Sequence, residues 1–286
     1  MKYDQPETRS QDIGDAQVQY LLYPGSEPTI ILLHATGFMP WLWHPIAGKL
    51  AGAHRIIAPY FCDHRIAPLE DGGLSWITLA RDLAELCRRM KIERPVLVGH
   101  SMGATVMVFA QTMYGLGAAG MILIEPIFFP ETYYRMNAGV EDHPLASKSL
   151  RRRNRWNDSA DMKAYLKTKP LFSRWEEEFL DLYIAHGTVE SETFGLELTC
   201  PPTREAALFM GGMSCDPWPL LPKIQCPTMI IEGAESGNRQ YIDLVGATAK
   251  IPNGRFKRID DAGHLIPMEK SGEILSTISE FIRGLQ

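Results

Sequence analysis

Gly99-His100-Ser101-Met102-Gly103 places a serine between two glycines, each two positions away. The apolar run Val96-Leu97-Val98 precedes it, and the small, apolar run Ala104 to Ala110 follows. A strand, a Gly-x-Ser-x-Gly turn and a helix in that order make a nucleophile elbow. The turn is sharp, so residues two positions from the serine must lack bulk, and glycine meets that need. The hydroxyl then stands at the carboxyl end of a strand and at a helix N-terminus. Free N–H groups and the helix dipole there favour developing negative charge.

A serine hydroxyl is a poor nucleophile at neutral pH. It needs a base in reach, and the base needs an orienting acid. The best-placed base is His264, in Asp260-Asp261-Ala262-Gly263-His264, after a strand and before the last helix. Gly263 allows the bend that turns an imidazole back toward the strand ends. The other histidines are weaker candidates. His100 points into or across the elbow, and His34 ends a strand as a structural residue. His143 and His186 lie in a long insertion, where one of them can touch substrate.

The elements that must carry these residues are legible as periodicity. Strands are expected at Val18–Tyr23, Thr29–His34, Arg55–Pro59, Val96–Val98, Met121–Ile124, Thr228–Ile231 and Arg255–Ile259. Ser75 to Met90 has helical spacing with Ser75 as N-cap, and Glu273 to Leu285 reads as an amphipathic terminal helix. Residues 1–15 are polar and expected to be loosely held. Strands alternating with helices imply an α/β fold, a mostly parallel sheet flanked by helices. The alternation breaks from Ile127 to Gly212, which is rich in charges and aromatics. We expect a core of residues 1–126 and 213–286, and a helical cap of residues 127–212 over the site.

With 286 residues the chain can bury a full core. Its net charge of −5 gives no reason to expect nucleic acid or a membrane as partner. Cys62, Cys87, Cys200, Cys215 and Cys226 are odd in number and show no C-x-x-C spacing. We read them as free thiols in a reducing compartment. The N-terminal residues carry no apolar signal region and no run reaches a membrane span, so a cytoplasmic protein is expected.

His34-Ala35-Thr36-Gly37-Phe38, Trp43, the elbow and Gly263-His264 together resemble the α/β-hydrolase superfamily. The likeness runs from about residue 17 to the end, apart from the insertion. It implies the order serine, acid, histidine, and a catalytic acid after the strand that follows the cap, as Gly-x-x-Asp. The matching stretch is Gly233-Ala234-Glu235-Ser236, with serine where aspartate is usual. Glu235 is one residue early. Glu125, at the end of Met121–Ile124, resembles the acid of those relatives that carry it after the strand following the elbow. A glutamate there is long enough to reach His264, and we prefer it to Glu235. Asp216 is a further candidate, whereas Asp260 and Asp261 sit too close along the chain to orient His264 well. The resemblance also implies an oxyanion hole from the backbone N–H groups of Met102 and Thr36.

The implied chemistry is hydrolysis of carboxylic esters through an acyl-enzyme on Ser101, with no metal and no organic cofactor. Phe38, Trp43, Phe128 and Tyr133 are expected to line an apolar substrate pocket, with Trp41, Phe129 and Tyr134 nearby. The substrate is a small or medium ester. Arg151-Arg152-Arg153 with Arg155 reads as a solvated helix face, or else as a patch for carboxylate-bearing substrates. The same triad also serves lactonases, C–C bond hydrolases and perhydrolases. A reading from another class is a non-catalytic small-molecule receptor on this fold.

Overall fold

The computed structural model describes residues 4–61, 64–66, 68–69, 72–136, 139–191 and 195–285, which leaves Cys62 outside. The strands, numbered in chain order, begin with β1 (Glu7–Asp12), β2 (Gln17–Tyr23), β3 (Ile30–Leu33), β4 (Ile56–Pro59), β5 (Val96–His100) and β6 (Gly120–Ile124). The insertion holds β7 (Arg155–Trp156), β8 (Thr188–Glu190) and β9 (Leu196–Leu198). β10 (Thr228–Gly233) and β11 (Gly254–Ile259) return to the core. The helices begin with α1 (His44–Leu50), α2 (Trp76–Arg89), α3 (Met102–Met113), α4 (Glu131–Tyr134), α5 (Pro144–Leu150) and α6 (Ser159–Lys167). They continue with α7 (Glu177–His186), α8 (Pro202–Gly211), α9 (Leu244–Ala249), α10 (Ile266–Glu269) and α11 (Ser271–Arg283).

Among the described residues one sheet runs in the order β1-β2-β4-β3-β5-β6-β10-β11. β4, β3, β5, β6, β10 and β11 pair in parallel, and β1 and β2 join antiparallel at one edge. β3 to β6 are apolar on both faces, and each is buried over its whole length. Such strands demand cover on both sides. α2 and α3 supply it on one face, where Leu79, Leu83, Val106 and Phe109 meet Ile31, Leu97 and Leu123. α1 and α11 supply it on the other, where Ile46, Ile274 and Ile278 meet Leu32, Val98 and Ile231. Ser75 caps α2 by accepting the Ile77 N–H at 3.2 Å.

Two elements depart from the sequence reading. The polar segment Glu7–Asp12 is a strand, paired with β2 from Glu7 opposite Leu22 to Asp12 opposite Gln17. Backbone pairing at a sheet edge makes it so, and its exposed side chains leave no apolar alternation to read. The insertion also contains a small sheet, β7-β9-β8, beside its helices.

Residues 127–212 touch the core at the loops after β3 and β10 and at α10. Phe38, after β3, meets Trp175 and Tyr183 edge-on, with ring centroids 5.5 and 5.7 Å apart. Glu176 N–H donates to the Met268 carbonyl at 2.9 Å, just past His264. Arg174 pairs with Glu235, after β10. The start of the insertion is different: Phe128 is fully buried among α3 and sheet residues and belongs to the core. No described helix is long and apolar enough to cross a membrane.

Candidate active site

Register brings the chemistry together. Gly99 lies opposite Leu123 and His100 opposite Ile124, so Ser101 and Glu125 leave neighbouring strands at the same level. The sheet pattern continues one step further, with Ser101 N–H on the Ile124 carbonyl and Glu125 N–H on that of Ile231. Both residues then turn with positive φ, 55° at Ser101 and 49° at Glu125. That conformation is unusual for side-chain-bearing residues and marks local strain at a site. A Cβ at Gly99 would stand 2.6 Å from the Ala104 backbone, and one at Gly103 would stand 2.6 Å from the Leu33 carbonyl oxygen. The elbow therefore accepts only glycine at both places.

His264 Nε2 lies 3.1 Å from Ser101 Oγ, and its Nδ1 lies 2.9 Å from Glu125 Oε2. The Glu125 carboxylate is buried, with 1% of the residue exposed. Its Oε1 accepts the Gly233 N–H at 2.8 Å, and its Oε2 also accepts the Ser236 hydroxyl at 2.7 Å. These donors replace the hydration that burial removes. The side-chain amide of Asn238 sits 3.0 Å from His264 Nδ1, and the Asn238 backbone N–H donates to Ser236 Oγ at 3.3 Å.

The other candidate acids lie elsewhere. Glu235 is half-exposed and turned to Arg174. Asp216 accepts the Trp218 N–H at 2.9 Å, and Asp260 and Asp261 are exposed. The remaining histidines have other tasks. His34 spans the Ala35 carbonyl (2.8 Å) and the Phe61 N–H (3.0 Å). His143 caps α5 at Ala146 N–H, and His186 stacks on Trp41. His100 does not simply cross the elbow: its Nε2 donates to the His264 carbonyl at 2.9 Å. Burial, with His264 adding, pushes its pKa down to about 3, so the ring stays neutral.

Met102 begins α3, so its N–H has no carbonyl one turn back. Thr36 lies in a turn closed by Phe38 N–H on the Ala35 carbonyl at 3.2 Å, with Gly37 at φ 72°. Of the aromatic candidates, Phe38 sits at the junction of the Thr36 turn and the insertion. Tyr133 is partly exposed and stacks on Phe129, centroids 5.4 Å apart. Tyr134 accepts the Phe129 N–H at 3.0 Å, and Trp218 Nε1 donates to the Phe129 carbonyl. Two expectations need correction. Phe128 offers no surface to a ligand because it fills the core beneath the sheet ends. Trp43 packs between the sheet and α1, and faces the site only as part of the lining of a small cavity with Phe38 and His100.

The arginine run is not one solvated face. Arg153 pairs with Asp161 and Arg155 with Glu197 near the surface, but Arg152 turns inward. Its Nη1 bonds both oxygens of Glu205 at 2.7 Å, and its Nη2 donates to Tyr183 Oη at 3.0 Å. Among the described residues no three His, Cys, Asp or Glu side chains converge as metal ligands would. Sequence reasoning missed His100, Ser236 and Asn238 as partners of the central residues. The signal for Ser236 was present, as a hydroxyl where an acid is usual.

Comparison with known proteins fits this architecture. The model of the alpha/beta hydrolase family matches residues 30–276. An abhydrolase domain-containing protein of Alternaria alternata is 26% identical over 232 residues, 67% of this chain and 84% of that protein. The solved structure of E-2-(acetamidomethylene)succinate hydrolase superposes with a TM-score of 0.82 at 19% identity, covering 97% of this chain and 99% of the other. A thermophilic esterase from Thermogutta terrifontis, solved with malate bound, gives 0.71 at 22% identity, covering 100% and 99%. At these identities the structural likeness is one of fold.

Proposed function

Because the chain belongs to the α/β-hydrolase family, we propose that it is a serine hydrolase cleaving carboxylic esters of small to medium apolar substrates. The observation that carries this reading is the unbroken line from Ser101 Oγ through His264 to the buried Glu125 carboxylate. In this reading Ser101 Oγ attacks the ester carbonyl carbon while His264 Nε2 takes its proton. The tetrahedral oxygen is met by the N–H groups of Met102 and Thr36. Nε2 then gives the proton to the leaving alkoxide. Water attacks the acyl-enzyme, again losing its proton to Nε2, and Ser101 departs with that proton. Glu125 holds the Nδ1–H tautomer and stabilises the imidazolium; it stays unprotonated throughout.

Residues 127–212 act in this reading as a cap, supported by their seating on the loops after β3 and β10 and on α10. Phe38 and Tyr133 are its candidate substrate contacts. The test is turnover of p-nitrophenyl acetate, butyrate and octanoate by the wild type and by Ser101→Ala. Activity abolished in the folded variant supports the reading. Equal activity of the two proteins, or stabilisation by esters without any turnover, defeats it.

A further inference from the structure

Ser236 occupies the place where the resemblance leads one to expect an acid, and its hydroxyl points at the acid that serves instead. The Ser236 Oγ–H donates to Glu125 Oε2 at 2.7 Å, the same oxygen that faces His264 Nδ1 at 2.9 Å. Ser236 is 5% exposed; among the described residues its Oγ accepts the Asn238 backbone N–H and gives its own proton to Glu125. We infer that Ser236 is a positioning residue, a vacated acid site whose hydroxyl aims Glu125 at His264. This inference rests on the serine-hydrolase reading.

The physical reason lies in the length of glutamate. Glu125 has one more rotatable bond than aspartate and leaves its strand at a strained φ of 49°. A single bond to His264 would not fix both carboxylate oxygens. Gly233 N–H holds Oε1 at 2.8 Å and Ser236 holds Oε2, so the plane of the carboxylate is set from two sides. Gly233 ends β10 and Ser236 follows three residues later, so one loop supplies both donors. Asn238 joins the same loop to the base, with its amide 3.0 Å from Nδ1. When Nδ1 carries the proton, the amide serves by presenting Oδ1, which a half-turn of the amide group provides.

Ser236 Oγ and His264 Nδ1 both contact Glu125 Oε2, so position 236 stands one carboxylate oxygen away from the imidazole nitrogen. An aspartate at 236 should therefore replace Glu125 once the latter is made neutral. With Glu125 intact, the same aspartate puts two carboxylates in one buried site, where both cannot easily ionise.

The experiment compares Ser236→Ala, Ser236→Thr, Glu125→Gln and the double variant Glu125→Gln/Ser236→Asp. Two readouts are used: kcat and KM on p-nitrophenyl butyrate across pH 5–9, and the rate of covalent labelling of Ser101 by a fluorophosphonate. Thermal unfolding of each variant checks folding. Ser236→Ala should lower kcat and the labelling rate by about 10- to 100-fold, the loss of one hydrogen bond to a buried charge. KM should hold, the acid limb of the pH profile should move, and Ser236→Thr should recover most of the activity. The double variant should exceed Glu125→Gln by at least about tenfold. Wild-type kcat and pH profile in Ser236→Ala, or a folded double variant no faster than Glu125→Gln, would overturn the inference. Ser101→Ala is measured alongside: if it retains turnover, the serine-hydrolase reading fails and takes this inference with it. If it is inactive while Ser236→Ala is unchanged, only the role of Ser236 fails.

Discussion

The carboxylate of Glu205, on α8, lies directly against Gly37, in the turn after β3 that contains Thr36. A Cβ at Gly37 would collide with Oε1 of Glu205, and φ is 72° there. Arg152 holds both Glu205 oxygens at 2.7 Å. The insertion thus braces the turn that we assign to the oxyanion hole. Gly37→Ala is expected to cost about 1–2 kcal/mol from its left-handed backbone alone. It should also displace Glu205 and lower kcat by about tenfold or more. Thermal unfolding and steady-state kinetics check the two parts separately. A folded Gly37→Ala protein with wild-type kcat would remove this turn from the site.

Glu125 and Glu235 make opposite predictions. Glu125→Gln should lower kcat/KM by about 10³- to 10⁴-fold, because the imidazole loses its charged partner and its fixed tautomer. Glu235→Gln breaks only a half-exposed pair with Arg174 and should stay within a few-fold of wild type. Kinetics on p-nitrophenyl butyrate decide between them, and the reverse pattern would move the acid to Glu235.

Acid should destabilise the fold before its carboxylates titrate. Burial lowers the pKa of His100 to about 3, with His264 contributing, and burial also lowers those of His44, His143 and His186. Below the unfolded value near 6.5 the unfolded chain binds more protons than the folded one. The stability held by neutral His100 is therefore complete above pH 6.5 and declines as pH falls toward 3. From pH 6.5 to 5 the loss from His100 is about 2 kcal/mol. Urea unfolding at these two pH values measures it. His100→Gln, whose amide can still donate to the His264 carbonyl, should flatten that slope; an unchanged slope would show that the ring is not the source.

Trp175 is buried where the insertion meets Phe38, with Phe172 and Tyr183 around it. Trp175→Ala should cost about 3–5 kcal/mol, as large aromatic truncations do. If residues 127–212 shape the substrate site, the ratio of octanoate to acetate turnover should also move several-fold. Loss of stability with an unchanged chain-length profile would leave Trp175 as packing alone.

The elbow was legible because its requirements are local. Two glycines, a serine, an apolar strand before and a small-residue helix after are contiguous, and sterics within ten residues dictate them. The parallel core was legible for a related reason: with both faces covered, β3 to β6 are apolar along their length except for His100 at the end of β5. The strand Glu7–Asp12 was not, since its residues gain no burial and only pairing with β2 orders them. Phe128 looked like a pocket residue by its place after a strand end, yet its ring turns into the core.

By itself, then, the sequence singled out a candidate nucleophile, a candidate base, a ranked choice of acids and the strand–helix frame that carries them. Tertiary structure decided which carboxylate meets His264, that Ser236 and Gly233 hold it, and that Arg152 turns inward to Glu205. The reason is physical. An elbow is fixed by steric contacts between near neighbours. The partner of a buried carboxylate is fixed by strand order and register, which bring residues 125, 236 and 264 within hydrogen-bond reach although they are far apart along the chain.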